Sequence, residues 1–382
     1  MNFAFDTVAS ILVEDHGASN LGAILKGRYK PVPCFVVTDK GLRSLGLLDQ
    51  AISSLKANGF APIIYDDVVA DPPEASIHDA VDAAKQNGCE LVIGFGGGSS
   101  MDVAKLVAVL LKGQQDLSTM YGIGQITSDR VPLVQIPTTS GTGSEVTPIS
   151  IVTTGETTKM GVVDPILYAD LAILDATLTL GLPAHVTAAT GIDAMVHALE
   201  AYTTKHKKNP ISDALARQAF SLLGWNILRV CSDGKNLDAR RDMLIGAMLA
   251  GQAFANAPVA AVHALAYPLG GHFHVPHGLS NSLVLPYVME FNMEQAGDAY
   301  GELAAILDLK SQNGQSAASA LVQWFRNVAS EAGIETRLRD VGVKESDLDM
   351  LADDAMLQTR LLVNNPREVT RGDAYKIYEA TW

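Results

Sequence analysis

The stretch LVIGFGGGSSMDVAK, residues 91–105, passes from an unbroken apolar run through three successive glycines into a helix-spaced segment. An apolar run bounded by turn residues suits a strand covered on both faces. Glycines let the backbone approach a phosphate closely, and the unpaired N–H groups at a helix start favour an anion. The stretch therefore reads as a pyrophosphate cradle. A tight glycine turn leading into a helix capped by Ser99 or Ser100 is the alternative reading. The third glycine of a G-x-G-x-x-G turn is absent, because position 99 is Ser.

Outward from this stretch, apolar runs alternate with helical spacing. CFVVT at 34–38, APIIYD at 61–66 and VPLVQIPTT at 131–139 read as further strands. Helical patterns over 41–57, 74–87 and 100–112 lie between them. Strands separated by helices of that length imply βαβ units and a parallel sheet. SIVTT, MGVVD and LAILD (171–175) extend the strand inventory. After Leu182-Pro183 the texture changes to helical patterns over 186–202, 211–230, 240–256, 258–268, 297–309, 315–332 and 372–380. The expected fold class is an α/β N-terminal domain with a Rossmann-like parallel sheet, residues 1–182, followed by an all-α domain, residues 183–382.

Composition narrows the function classes. The 382 residues carry 28 Lys+Arg against 42 Asp+Glu, a formal charge of −14. That balance disfavours a nucleic-acid footprint and an anionic membrane surface. With 48% hydrophobic residues the chain can build a full core. Cys34, Cys89 and Cys231 are odd in number and far apart, which suits a reducing compartment. MNFAFDTVAS has no basic leader region, and LVAVLL at 106–111 is far shorter than a membrane span. The expectation is a soluble cytoplasmic protein.

Several residues carry chemistry. Asp39 ends the first strong strand, where an acid accepts the hydroxyls of an adenosine ribose and repels a 2′-phosphate, favouring NAD over NADP. A plain turn or cap acid is the other reading, and Lys40 and Arg43 lie close by. PTTSGTGSEVT, 137–147, holds six Ser or Thr and two Gly after a strand, a set that reaches phosphate and ribose oxygens or forms an ST-turn. Asp193 and His197 stand one helical turn apart in GIDAMVHALEAY. His263, His272, His274 and His277 fall within fifteen residues. One carboxylate and three imidazoles from three segments would hold a divalent ion, Fe²⁺ or Zn²⁺; Asp193 and His197 alone would equally make a helix-surface hydrogen bond. No Lys or Arg occurs from 242 to 309, which argues for a small neutral alcohol or aldehyde rather than a phosphorylated substrate.

GGGSSMDVAK (96–105), PTTSGTGSEVT (137–147), GIDAMVHALEAY (191–202), HALAYPLGGHFHVPHG (263–278) and NNPREVT (364–370) together resemble the iron-dependent alcohol dehydrogenase family, of the lactaldehyde reductase and 1,3-propanediol dehydrogenase type. The resemblance covers nearly the whole chain. It implies an N-terminal dinucleotide-binding domain, an all-helical C-terminal domain of dehydroquinate synthase-like architecture, an active site in the cleft, and a homodimer or higher oligomer with residues 3–13 available to a neighbour's sheet. It implies one divalent ion on Asp193, His197, His263 and His277, and NAD(H) against Asp39, Gly97, Gly98, Ser99, Asp102, Thr138, Thr139, Thr142 and Lys159. The chain departs from close relatives at Tyr267, where they carry a second His, and at Asp71-Pro72-Pro73, where several read Pro-Asn-Pro. Tyr267 and His274, with His272, are the expected proton-path residues. A hydroxyacid–oxoacid transhydrogenase shares the pattern, and a dehydroquinate synthase-like cyclase shares the architecture.

Overall fold

The computed structural model describes residues 2–155, 158–311 and 316–382. It divides into two compact units. One comprises Asp6–Thr139 and Gly143–Leu180; the other comprises the residues up to Phe5, Ser140–Thr142 and Gly181–Trp382.

The first unit is built on β1 (Ile11–Val13), β2 (Pro33–Val37), β3 (Ala61–Tyr65), β4 (Leu91–Gly96), β5 (Gly122–Ile123), β6 (Leu133–Pro137), β7 (Ile149–Thr154), β8 (Thr158–Val163) and β9 (Leu171–Leu174). Six of these form an all-parallel sheet in the order β1-β9-β6-β4-β2-β3, with Val36 beside Ile93 and Ile93 beside Val134. Side chains alternate across the strands, so Cys34, Val36, Ile93, Phe95, Val134, Ile136 and Ile173 share one face. They pack there with Leu21, Leu25, Ala51 and Leu55 from the covering helices. Each such full burial contributes about 1.5–3 kcal/mol before entropy is counted. From β2 the chain steps outward to β3, then returns to place β4 on the other side of β2 and continues to β6 and β9. The direction of winding reverses between β2 and β4, and ligands of open α/β sheets bind beyond the strand ends at such a point.

The expected strands are present, with two differences in their use. SIVTT and MGVVD become β7 and β8, an antiparallel pair that joins β5 in a separate three-stranded sheet. Residues Ile11–Val13, within the segment 3–13, pair with β9 of their own chain and form one edge of the sheet. The expected helix over 41–57 is two helices, Lys40–Ser44 and Asp49–Ala57. Between them Gly46 takes φ +69°, a left-handed conformation that ends the first helix.

The second unit is helical: Ala184–Thr203, Pro210–Ser232, Leu237–Asn256, Ala261–Phe273, His277–Ile306, Ala317–Glu331, Leu348–Ala355 and Arg371–Thr381 are its longer helices. Pro210 begins its helix, where its missing N–H costs nothing, and Asn209 caps it by accepting from the Ser212 N–H. The spacing predicts helices over 258–268 and 297–309 and leaves Pro276-His277-Gly278 between them. His277 instead opens a 30-residue helix that runs through Pro286. Leu348–Ala355, eight residues long, was not anticipated. Among the described residues no single helix is long and apolar enough to cross a membrane.

Candidate functional site

Two constellations stand out, one in each unit. At the winding reversal of the parallel sheet, Asp39 follows β2 and Gly97, Gly98 and Ser99 follow β4. These residues line a cavity of about 460 Å³ together with Asp66 and Asp67. Asp39 accepts the Leu42 N–H at 2.9 Å and so caps its helix. The two cations beside the cavity are already matched to acids, Lys40 to Asp67 at 2.5 Å and Arg43 to Asp66 at 3.2 Å. Neither Ser99 nor Ser100, the caps of the alternative reading, caps the helix after the glycine turn, since both lie inside it. Gly97 is the N-cap residue of the helix Gly98–Lys112 and makes no side-chain cap bond. The first N–H groups of any helix lack partners within it, and such a start favours an anion.

Thr138 donates its N–H to the Gly96 carbonyl at 3.0 Å, which anchors the end of β6 beside the turn. Thr138 is buried, whereas Thr139 and Thr142 are partly open. Asp102 is committed within the protein: it accepts from the Ser144 hydroxyl at 2.6 Å and the Ile151 N–H at 3.0 Å, and lies 3.3 Å from Lys105. The fully buried Lys105 donates to Ser144, Thr147 and the Ile149 carbonyl. Burial lowers its pKa against the pull of Asp102. Lys159 pairs with Asp71 at 2.6 Å, and Asp71 holds a left-handed φ of +53°.

In the helical unit, Asp193 and His197 lie one turn apart on Ala184–Thr203. His263 is near the start of Ala261–Phe273, and His277 opens the next helix. Their four ligand atoms lie within 4.8 Å of one another. Asp193 Oδ1 is 4.0 Å from His197 Nε2, 3.9 Å from His263 Nε2 and 3.6 Å from His277 Nε2. A tetrahedral ion with bonds of about 2.1 Å spaces its donors at roughly 3.4 Å, so the set is close to that size. Asp193, His197 and His263 are buried, and His277, with 30% of its side chain exposed, forms the open side. Burial pushes the His197 imidazolium down to about 3 despite Asp193, helped by the neighbouring imidazoles, so the ring is neutral. Burial alone would raise the Asp193 carboxyl. The three imidazoles and the Asn281 amide outweigh it and hold the group below its ordinary value.

Around these four the structure adds residues that sequence reasoning missed. Glu200 reaches His263 Nδ1 at 2.7 Å. Asn281 donates to Asp193 Oδ1 at 2.6 Å and sits 3.3 Å from the Nε2 atoms of both His263 and His277. Phe254 stacks on His197 with ring centres 4.3 Å apart. Glu200 was legible in principle, three residues after His197 on one helix face. Asn281 was hidden because the start of its helix was misread. The remaining histidines of the cluster lie outside it. His272 bonds to Asp354 at 2.9 Å, and His274 is exposed at the left-handed end of its helix. Tyr267, one turn after His263, has its ring centre 6.0 Å from that of His277.

Residues 9–176 match the family model described as iron-containing alcohol dehydrogenase, and residues 187–382 match the C-terminal model of the Fe-containing alcohol dehydrogenase family. Long-chain-alcohol dehydrogenase 1 of Geobacillus thermodenitrificans is 42% identical over 91% of this chain and 89% of its own. Sulfoacetaldehyde reductase of Bilophila wadsworthia is 38% identical over 100% of both. Among solved structures, a 1,3-propanediol oxidoreductase superposes with a TM-score of 0.94 at 32% identity, covering 100% of each chain.

Proposed function

The chain belongs to the iron-containing alcohol dehydrogenase family, and from that membership we propose that it interconverts a small neutral primary alcohol and its aldehyde, using NAD(H) and one divalent ion held by Asp193, His197, His263 and His277. The single observation that carries the ion assignment is the convergence of these four donors, three of them buried. A buried carboxylate facing three imidazoles fits a divalent cation, which such a donor set leaves with a net single positive charge. Fe²⁺ is the proposed occupant and Zn²⁺ the competitor. When bound, the ion supplies Lewis acidity at the substrate oxygen, and the nicotinamide gives or accepts the hydride.

The chain's own contribution is orientation. Asp193 and His197, fixed on one helix, would hold the ion from the buried side, and His277 from the open side. The Gly97–Ser99 turn and the PTTSGTG loop are proposed to bind the pyrophosphate and ribose, with Thr138, Thr139, Thr142 and Lys159 as contacts. Asp102 braces that loop through Ser144. NAD is favoured over NADP because Asp39, Asp66 and Asp67 outnumber Lys40 and Arg43 at the cavity. Tyr267 is the proposed proton-path residue nearest His277, with His274 as an outer member. A neutral substrate is supported by the absence of Lys and Arg between 242 and 309.

The test follows the loss of NADH absorbance with propanal or lactaldehyde, with and without added Fe²⁺, on protein purified without air. Ion-dependent loss with NADH, and little with NADPH, is expected. Ion-independent turnover, or none with any small aldehyde, would overturn the reading.

A further inference from the structure

Glu200 is a buried carboxylate that the proposed chemistry leaves without a task. It stands on the helix Ala184–Thr203, seven residues after Asp193 and three after His197, so it shares their face. Its Oε2 accepts the Ala260 N–H at 2.9 Å and lies 2.7 Å from His263 Nδ1. Its Oε1 accepts the Val262 N–H at 2.7 Å. Ala260 and Val262 open the helix that carries His263, and that helix has no cap of its own. One carboxylate therefore holds both the helix start and the imidazole that the helix presents.

We propose that Glu200 is a positioning residue that fixes His263 as the Nδ1–H tautomer and aims its Nε2 lone pair at the ion site. The inference rests on the ion-site reading above. A carboxylate only accepts, so Nδ1 must donate, and Nε2 is left as the bare nitrogen. The other side of the ring agrees: the Asn281 amide Nδ2, which carries hydrogens only to give, lies 3.3 Å from His263 Nε2. The negative charge behind the ring also makes Nε2 a stronger donor to a cation. Among the described residues His197 has no carboxylate behind its ring; the Gly141 backbone is its polar neighbour. Its ring is held by stacking, with Phe254 at 4.3 Å and with His263 at 4.7 Å. Glu200 thus orients His263 directly and, through the stack, steadies His197. The same helix supplies two ligands and the clamp for a third.

The experiment measures affinity for Zn²⁺, and for Fe²⁺ without air, by chelator competition in the wild type, Glu200→Gln, His263→Ala and the double variant. Glu200→Gln is expected to raise the dissociation constant about 10- to 100-fold. In the His263→Ala background the same change is expected to add nothing, because its route to the ion is gone. An unchanged affinity in Glu200→Gln, or an equal loss in both backgrounds, would overturn the proposal, since the second result assigns Glu200 to the scaffold alone. If His263→Ala itself retains wild-type affinity, the ion-site reading fails instead. Should Glu200→Gln not fold, ¹⁵N spectra of histidine-labelled wild type decide the matter. The His263 signal, identified by its loss in His263→Ala, is expected as Nδ1–H, and an Nε2–H tautomer would refute the proposal.

Discussion

Gly278 is pressed against the carbonyl oxygen of Ala189, so that a β-carbon on Gly278 would stand 2.4 Å from it. The contact joins the start of the helix that opens with His277 to the helix that bears Asp193 and His197. A backbone oxygen cannot step aside as a side chain can. Gly278→Ala should therefore displace His277 from the cluster. The expected outcome is a loss of about 1–3 kcal/mol of stability from overpacking, with metal content well below that of the wild type by elemental analysis. Full metal content at wild-type stability would show that the helices adjust freely.

Lys105 is the second place where a small change should have a large effect. Its ammonium is fully buried among Asp102, Ser144, Thr147 and the Ile149 carbonyl. Lys105→Met leaves the Asp102 carboxylate without its cation. Breaking one side of such a pair costs about 3–5 kcal/mol, to be read from urea unfolding. NADH affinity should weaken as well, because Ser144 belongs to the loop that follows β6. A stability within about 1 kcal/mol of wild type would sink this expectation.

Glu145, beside Lys105 in charge terms, gives a pH signature. Burial raises its carboxyl to about 7, against the opposing effects of its backbone hydrogen bond and Lys105. An unfolded glutamate titrates near 4.5. Between those values the folded chain holds a proton that the unfolded chain has released. Stability should therefore fall as pH rises from about 4.5 to about 7 and then level off. Glu145→Gln is neutral throughout and should flatten that part of the profile. A wild-type stability that climbs across the window, with no difference from the variant, would contradict the assignment.

Asp39 offers a test of cofactor choice that spares the fold. Asp39→Asn retains an oxygen to accept the Leu42 N–H but removes the negative charge from the cavity. The kcat/KM for NADPH should rise on the order of tenfold, about 1.4 kcal/mol, while that for NADH falls. Unchanged ratios would place the discrimination elsewhere in the chain.

Much of this architecture was legible because its signals are local. CFVVT and LVIGF are β-branched and aromatic runs between turn residues, and no long-range information is needed to read them as buried strands. The turn after Phe95 and the histidine positions were likewise visible as spacing. What stayed hidden depends on distance or on context. A three-residue strand such as Ile11–Val13 has no period to detect; only its neighbour β9 defines it. Pro286 looks like a helix break, yet the helix His277–Ile306 tolerates it, and the expected pattern over 297–309 leaves Asn281 outside any helix. Glu200 looked like one more acid on a helix until the fold brought Ala260, Val262 and His263 to it. The Asp102 carboxylate, grouped with the cofactor residues on sequence grounds, is occupied by Ser144, Ile151 and Lys105, which lie 3 to 49 positions away.

The donors of the four-residue cluster come from three separate helices, and no covalent cross-link joins those helices, since Cys34, Cys89 and Cys231 are all free thiols. An ion seated there acts as a removable rivet. Its contribution to the folded state grows with the logarithm of the free ion concentration. Resistance of the purified chain to proteolysis would then rise with the free ion concentration.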